Sequence, residues 1–315
     1  MKNTTSINDV ARLAQVSKAT VSRVISGSRG VKEESRQAVL RAVEILNYQP
    51  NFIGQSLASQ CTGCIGVICA TEHVQQATGY LQALEKQLSQ HQKYLLLRFA
   101  DNAQAVDQAI AELSRGLCDA VMVVGARFDL PSLPDEVVLI DCLGAASKSK
   151  IDFDYLFATE TAGHYLISHN RKKIALLNFH TGEAAEQVMQ GYRNALESYP
   201  LPYNRQLVID YDVSVNIALQ GLITANVQFD ALLVTDYYIG LEAVKILRQF
   251  QRSVPEQVIV FSLDGCAVQL SGEPHLPAIN YPLDVLAQRA LQMVSLPFSG
   301  DLQFPPLRGS LITPY

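Results

Sequence analysis

The sequence lacks a long hydrophobic run. No uninterrupted apolar stretch reaches the ~18 to 20 residues that are needed to span a bilayer. The first residues also lack the apolar segment of a secretory signal peptide. We therefore expect a cytoplasmic protein with no membrane partner.

The short motifs of common enzymes are missing as well. The chain has no Gly-x-Ser-x-Gly elbow, no Walker loop, no Gly-x-Gly-x-x-Gly fingerprint and no His-Glu-x-x-His pair. Its 6 histidines show no spacing typical of metal ligands. We predict no catalytic residue, no metal and no cofactor, and a metabolite-converting enzyme is the less favoured alternative.

Cysteine is sparse and unpatterned, with one exception. Six cysteines in 315 residues favour thiols over a disulfide framework in a cytosolic chain. The exception is the Cys-x-x-Cys of Cys61 and Cys64, but a metal site would need two more ligands and no second pair exists. We interpret the pair as incidental small residues, and a redox role is the alternative.

Two short helices are predicted within residues 7–26. Ser6 is a suitable N-cap for the first, with Asp9 as its capping-box partner, and Ser17 is a suitable N-cap for the second. Apolar residues recur at helical spacing in both. They are Ile7, Val10, Ala11 and Ala14 in the first helix, and Ala19, Val21, Val24 and Ile25 in the second.

The other face of the second helix is polar. It carries Lys18, Thr20, Ser22 and Arg23, which are side chains able to reach phosphates and base edges in a DNA groove. A third helix is indicated by Glu33 and Glu34 at its start. Its predicted buried stripe is Val39, Leu40, Val43 and Leu46. The pattern favours a DNA-binding helix-turn-helix over any other amphipathic helical hairpin.

Charge is distributed unevenly along the chain. Residues 1–60 hold 8 Lys and Arg against 4 Asp and Glu; the whole chain has 25 against 30, which leaves 17 against 26 for the remainder. A basic head suits a polyanionic partner, and an acidic body is repelled by it. The asymmetry supports double-stranded DNA as the partner of the head.

Several sequence blocks resemble the LacI/GalR family of bacterial transcription regulators. They are Asp-Val-Ala at 9–11, Val-Ser at 16–17, Thr-Val-Ser-Arg-Val at 20–24 and Asn-Tyr-x-Pro-Asn at 47–51. The resemblance implies a homodimer on a pseudo-palindromic operator, associated with the nucleoid when bound. The specificity positions that it implies are Lys18, Ala19 and Arg23. The full set of candidate DNA contacts is Ser17, Lys18, Ala19, Thr20, Ser22, Arg23, Ser26, Lys32, Asn51, Leu57 and Ala58.

The resemblance also implies a hinge helix over residues 51–59. In the family the residue that matches Leu57 inserts into the central minor-groove step together with its dimer mate. Simple packing of Leu57 at an interface is the alternative. Because no leucine heptad follows the last predicted strand, we expect a dimer and not a tethered tetramer.

Beyond about residue 64 apolar runs alternate with amphipathic helices, which predicts βαβ units and parallel sheets. The predicted strands are 65–69, 94–99, 120–124, 137–141, 174–179, 207–211, 231–236 and 258–264. The predicted helices are 79–90, 103–117, 160–168, 184–197 and 239–250. A turn-rich stretch near residues 145–152 divides this run into two doubly wound lobes.

The predicted fold class is therefore an α-helical helix-turn-helix headpiece and an α/β body of two doubly wound parallel-sheet lobes, which resembles periplasmic binding proteins. We place the headpiece at 1–50, the hinge helix and linker at 51–62 and the body at 63–315. From the resemblance, the N-lobe covers about 63–152 and 282–307. The C-lobe covers about 153–281 and 308–315.

Ligands of such sheets bind outside the carboxyl ends of the strands. Asp141, Asp236 and Asp264 each close an apolar run there, where carboxylates accept hydrogen bonds from ligand hydroxyls. The alternative is that each acid caps the element that follows it. The resemblance places the same three acids in the ligand pocket, and Tyr237 and Tyr281 are candidates to stack on a sugar ring.

The predicted body departs from the family at one ligand contact. Relatives commonly carry an Arg three residues before a Gly-Tyr pair, and this chain has Val188 there. Arg98 and Arg127, near the ends of two predicted strands, are candidates to replace the lost cation. We expect a small-molecule effector, first a sugar or sugar phosphate. A nucleobase or other metabolite acting as corepressor is the alternative, and the sign of the response stays open.

Overall fold

A computed structural model gives the structure of the protein and describes residues 5–25, 27, 30–48, 61–71, 74–130, 132–143, 147, 149–210, 214–265, 275–295 and 303–314. The chain forms two compact units, Met1–Thr62 and Gly63–Tyr315.

The first unit contains three short helices. They are α1 (Ile7–Leu13), α2 (Lys18–Ile25) and α3 (Glu33–Ile45). Their shared core is built from Val10, Ala14, Val21, Val24, Val39, Ala42 and Tyr48. The three predicted helices are confirmed, but the expectation that Leu40 is buried is wrong. Leu40 is 47% exposed, because Ala42, one helical turn after Val39, is the residue that turns towards the core.

The second unit begins with a five-stranded parallel sheet. Its strands are β1 (Cys64–Cys69), β2 (Tyr94–Phe99), β3 (Ala120–Val124), β4 (Val138–Ile140) and β5 (Lys150–Ile151), in the order β2-β1-β3-β4-β5. Strands β1, β3 and β4 are almost wholly apolar because helices cover both faces of the sheet.

Three helices pack against this first sheet. They are α4 (Val74–Gln90), α5 (Ala103–Leu113) and α10 (Leu283–Ser295). Asn102 caps α5, since its side-chain oxygen accepts a hydrogen bond from the Ala105 backbone N at 2.9 Å. Helix α10 comes late in the chain, yet it packs against α4, β3, β4 and β5. The first lobe is therefore completed by a distant segment.

A second sheet has six strands. They are β6 (Ile174–Asn178), β7 (Val208–Asp210), β8 (Ala231–Val234), β9 (Ile259–Ser262), β10 (Ala278–Asn280) and β11 (Ser310–Ile312), in the order β11-β10-β9-β8-β6-β7. Every pairing is parallel except that of β10 with β11. Helices of this lobe are α6 (Tyr155–Ser168), α7 (Gly182–Ser198), α8 (Val215–Thr224) and α9 (Tyr237–Gln249).

Three chain segments cross between the two lobes at one place. Phe153 lies on the first crossing and forms a parallel bridge with Leu307 on the third. The backbone N of Leu307 donates to the Asp152 carbonyl at 2.8 Å, and the backbone N of Asp154 donates to the Leu307 carbonyl at 2.9 Å. Tyr281, which follows β10 on the second crossing, stacks on Phe153 with ring centroids 3.8 Å apart.

The predicted fold class, a helix-turn-helix headpiece with a two-lobed α/β body, is confirmed. All eight predicted strands exist, with ends that move by a few residues. The predictions omit strands β5, β10 and β11 and helices α8 and α10. Helix α6 also begins earlier than predicted, at Tyr155, because Asp154 caps it by accepting from the Phe157 backbone N at 3.0 Å.

Candidate functional site

The headpiece presents α2 through a tight turn after α1. The Asp9 carboxylate accepts from the backbone N and the hydroxyl of Ser6 at 3.0 and 2.7 Å, as a capping box does. These hydrogen bonds with Ser6 lower the pKa of Asp9. Gln15 takes a left-handed φ of +52° in the turn, so the chain reverses within a few residues and α2 starts at Lys18.

Helix α2 divides cleanly into a core side and an exposed side. Val21 and Val24 are buried in the headpiece core, whereas Lys18, Ala19, Ser22 and Arg23 are exposed. These four residues belong to the set predicted to contact DNA, and Thr20 of the same set is half-buried. One face of this helix can therefore enter a groove without loss of the core.

Two of the predicted DNA contacts also have a structural role. The Ser17 hydroxyl accepts from the Thr20 backbone N at 3.1 Å and lies 2.9 Å from the Thr20 hydroxyl. Ser17 is thus the N-cap that the sequence predicts for α2. Lys32 is exposed and precedes α3. Ser26, Asn51, Leu57 and Ala58, with the predicted hinge helix, lie outside the described residues.

In the body, Asp141 is the centre of a buried polar cluster. It follows β4 with a left-handed φ of +49°. Its carboxylate accepts hydrogen bonds from the Tyr80 hydroxyl at 2.8 Å, the Tyr155 hydroxyl at 2.6 Å and the Arg127 guanidinium at 2.5 Å. Arg127 also donates to the Asp141 carbonyl at 2.6 Å. The structure therefore brings Asp141 and Arg127 together, but they bind each other and are not two separate groups open to a ligand.

The same cluster joins the two lobes. Asp141 and Arg127 belong to the first lobe, whereas Tyr155 is the first residue of α6 in the second. Burial, reinforced by the Asp141 carboxylate, raises the pKa of Tyr155 well above its ordinary value, so its hydroxyl remains a donor. The Tyr155 ring also meets the imidazole of His180 edge-on at 4.4 Å.

His180 is a buried residue next to the Asp141 cluster that the sequence predictions did not single out. It follows β6 at the carboxyl edge of the second sheet, and it is 5% exposed. Burial, with the nearby Arg127 charge, lowers the pKa of His180 to about 3, so the ring is neutral. Its Nδ1 and the hydroxyl of Thr181 have no hydrogen-bond partner among the described residues. The strand-end rule that selected the aspartates selects these residues too.

The two aspartates of the second lobe lie near each other. Asp236 caps α9, because its Oδ1 accepts from the backbone N of Tyr238 and Ile239 at 2.8 and 3.2 Å. Burial raises the pKa of Tyr238, and the negative charges of Asp236 and Asp264 raise it further. Asp236, Asp264 and Tyr238 therefore share one corner of the carboxyl edge. The alternative of a helix cap, weighed for each acid, is observed for Asp236.

Three other candidates lie differently from the expectation. Tyr281 is fully buried and stacks on Phe153, so neither face of its ring is presented to a ligand. The Tyr237 ring is also buried, and its hydroxyl accepts from the His275 backbone N at 2.8 Å. Arg98 lies on edge strand β2 and pairs with Glu112 on α5 at 2.7 Å, so its guanidinium is already bound to a carboxylate of the same lobe.

A cavity of about 950 Å³ lies between the lobes beside the crossings. Asp141 and Lys150 line it from the first lobe, Tyr155 from the start of α6, and Glu183 and Gln187 from α7. The segment before the third crossing supplies Phe304. This volume is within the range of small-molecule sites. Since the lining comes from both lobes, an occupant would contact both at once. Of the predicted effector contacts only Asp141 lines this cavity, and Asp236, Asp264, Arg98 and Arg127 are not among its lining residues.

The described part of the chain contains no group of three or more His, Cys, Asp or Glu side chains able to hold a metal ion. No helix there has both the length and the apolar character to cross a bilayer.

The two units together define a helix-turn-helix transcription regulator with a periplasmic-binding-protein-like body. Residues 6–51 match the model of the bacterial regulatory proteins of the lacI family, and residues 164–301 match the model of the periplasmic binding protein-like domain. The HTH-type transcriptional regulator GalR of Salmonella typhimurium is 31% identical over 312 residues, which are 95% of this chain and 91% of that protein. The GalR of Escherichia coli is 31% identical over 300 residues, 91% of this chain and 87% of that protein.

Solved structures agree with this class. The complex of the transcriptional regulator CelR with cellobiose has a TM-score of 0.66 at 25% identity and covers 98% of both chains. The lac repressor dimer bound to operator and anti-inducer has a TM-score of 0.74 at 19% identity, covering 98% of this chain and 99% of that one. This chain belongs to the LacI family of bacterial transcription regulators.

Proposed function

We propose that this protein is a dimeric repressor of carbohydrate-catabolic genes and that a sugar, bound between the lobes, releases it from its operator. The observation that carries the proposal is the pairing of an exposed polar face on α2 with a cavity lined from both lobes. Similar regulators are named for sugar operons, among them the ribose operon repressor of Haemophilus influenzae, 25% identical over 304 residues. The protein would work in the cytoplasm, on the nucleoid.

Operator reading is assigned to the exposed face of α2. Lys18, Ala19 and Arg23 are the specificity positions, because they are exposed at the start and along the outer side of the helix. Arg23 can fork onto a guanine edge, and Lys18 can reach a base or a phosphate. Ser17 is better suited to orienting the helix than to reading bases, since its hydroxyl caps α2.

A homodimer requires a surface that buries apolar side chains, and β2 offers one. This edge strand exposes Leu96, Leu97 and Phe99 at 38%, 36% and 50%. An exposed apolar edge is otherwise a template for uncontrolled pairing. A second copy of this chain is the partner that would cover it, and a twofold dimer suits a pseudo-palindromic operator.

Ligand control follows from the position of the cavity. A ligand that contacts both lobes changes their preferred angle, and that change reaches the headpieces through the two linkers of the dimer. Asp264 remains proposed as an acceptor for ligand hydroxyls. Asp141, whose carboxylate already accepts from Tyr80, Tyr155 and Arg127, is proposed to act by positioning Tyr155 at the cavity. Asp236 contributes through the helix cap that fixes α9 beside Asp264. We also propose that the bound sugar is released unchanged, since the known relatives reported above are regulators and not enzymes.

Selection of binding sites from random DNA tests this function. Full-length protein is expected to enrich a sequence with twofold symmetry, and changing Lys18→Gln with Ala19→Ser is expected to alter the same bases in both half-sites. Glu34→Gln, on the exposed side of α3, is the matched control and should leave the selected sequence unchanged. A selected site without symmetry, or one that the α2 exchange does not alter, would contradict the proposal.

A further inference from the structure

Negative charge predominates around the inter-lobe cavity. The described lining carries the acids Asp135, Asp141, Asp152 and Glu183, and Lys150 is its one basic residue. Asp152 and Glu183 face the cavity from the first crossing and from the start of α7, so the negative charge is not confined to one lobe. Asp141 and Asp152 are ion-paired with Arg127 and Lys150, so an anion entering the cavity would meet uncompensated negative charge from Asp135 of the first lobe and Glu183 of the second.

The described cations near the cavity are already paired. The Lys150 Nζ lies 2.8 Å from the Asp152 carboxylate, and Arg127 is bound to the carboxylate and the carbonyl of Asp141. Arg289 stacks over Phe304 at 5.1 Å and donates to the Pro305 carbonyl at 2.7 Å. Val188, where relatives commonly carry Arg, is fully buried in the core. Among the described residues, a phosphate would have to compete with one of these existing pairs to gain a cation.

The helix end at the cavity does not supply an anion site either. The N-terminus of α7 has the polarity that commonly receives phosphates. Here its first turn carries Glu183, whose carboxylate already provides the negative charge that the helix dipole favours. Burial raises the pKa of Asp152, and repulsion from Asp141 and Glu183 adds to that effect. The negative charges of Asp141 and Glu183 are therefore close enough to Asp152 to destabilise its ionised form.

Uncharged hydrogen-bonding groups border the same region. The Nδ1 of neutral His180 and the hydroxyl of Thr181 are buried without a partner among the described residues. His180 contacts Tyr155, which lines the cavity, and Thr181 immediately precedes α7. Buried polar atoms in this state are costly unless something binds them. Neither residue lines the cavity itself, but Gln187 and Gln303 do, and their amides can donate to or accept from ligand hydroxyls.

We infer that the cavity selects against anions, so that the effector is an unphosphorylated, hydroxyl-rich compound and sugar phosphates are rejected. This inference rests on the proposed function and narrows the class of its effector. The selectivity is of the kind that comes from repulsion of the wrong ligand as much as from attraction of the right one. Glu183 is assigned as a specificity residue, because it lies in the first turn of α7, lines the cavity and places a negative charge where the helix N-terminus would otherwise attract a phosphate.

Matched pairs of ligands test the inference on the full-length protein. Thermal unfolding is measured with the free sugars galactose, glucose, ribose and cellobiose. It is measured again with galactose 1-phosphate, glucose 6-phosphate and ribose 5-phosphate. Titration calorimetry then gives the affinity of each compound that raises the melting temperature. We expect at least one free sugar to raise the midpoint, and any phosphate counterpart to bind at least about tenfold more weakly. Glu183→Gln should reduce the ratio of the two affinities, free sugar over phosphate ester, several-fold. Glu186→Gln, exposed on the same helix and outside the cavity, should not.

Three results would overturn the inference. They are a phosphate ester that binds as tightly as its free sugar, equal behaviour of the two Glu variants, and no stabilisation by any free sugar. Operator affinity is measured on the same samples. A phosphate ester that binds and weakens operator binding would refute the charge selectivity while leaving the proposed repressor intact. Failure to select a symmetric operator would refute the repressor itself.

Discussion

Removal of the Tyr155 hydroxyl tests whether Asp141 holds the lobes together. The hydroxyl donates to the Asp141 carboxylate at 2.6 Å in a fully buried setting. A hydrogen bond to a charged group contributes about 1.5–3 kcal/mol. Asp141 keeps Tyr80 and Arg127 as partners in Tyr155→Phe, so no charge is left uncompensated. We expect a loss of about 2 kcal/mol in the free energy of unfolding, or roughly 4–8 °C in the melting temperature.

Tyr165→Phe is the matched control. Tyr165 lies on the same helix, α6, and is also buried, but its hydroxyl has no hydrogen-bond partner among the described residues. Its removal is expected to cost less than about 0.5 kcal/mol, because only an unsatisfied polar atom is lost. Differential scanning calorimetry of the full-length variants measures both changes. Equal losses from Tyr155→Phe and Tyr165→Phe would refute the assigned role of the Tyr155–Asp141 bond.

Asp141→Asn extends the same test. The substitution leaves the Arg127 guanidinium beside a neutral amide, and breaking a buried ion pair in this way costs up to about 3–5 kcal/mol. Arg127 keeps 26% of its side-chain surface exposed, which places the expected loss near about 3 kcal/mol. Combining Asp141→Asn with Tyr155→Phe should cost less than the sum of the two, by about 1–2 kcal/mol, since both act on one bond. Strict additivity would show that they act separately.

Two further predictions concern assembly and the ligand response. Phe99→Glu places a charge on the exposed edge strand β2 and should shift the protein from dimer to monomer in sedimentation. The control Ile217→Glu, at a 59% exposed position on α8, should remain dimeric. A stable dimer in both variants would show that β2 is not part of the dimer interface. Asp264→Asn should abolish the effect of the sugar on operator binding while operator affinity stays intact, and a persisting response would exclude Asp264 as a ligand contact.

The strands that the sequence predicts best are those buried on both faces. β6, β8 and β9 are almost continuous apolar runs, and a short run of this kind in the sequence predicts a strand that is buried on both faces. β5 has two residues and β11 has three, so their pairing depends on neighbours far away in the chain. Helix α10 is missing from the predictions although Leu283, Leu286, Ala287, Ala290 and Leu291 repeat at helical spacing.

The sequence predicts which strand ends carry the candidate ligand residues but not what those residues contact. The rule that strand ends face ligands selects Asp141 and Asp264, and it would also have selected His180. Sequence cannot show that Tyr80, 61 residues away, donates to Asp141. It also places Arg98 near a strand end without revealing that its side chain pairs with Glu112 across the outer surface.

The aromatic stack at the crossings limits how the lobes can move. Phe153 and Tyr281 belong to different crossings and are pressed face to face, and Leu307 of the third crossing is bonded to the backbone on either side of Phe153. Sliding or separating the lobes would tear apart this stack, whereas rotation about it would not. The three crossings therefore act as a hinge that permits mainly one rotation of one lobe relative to the other. A ligand bound in the cavity would accordingly change the angle of that rotation and not the lateral position of the lobes.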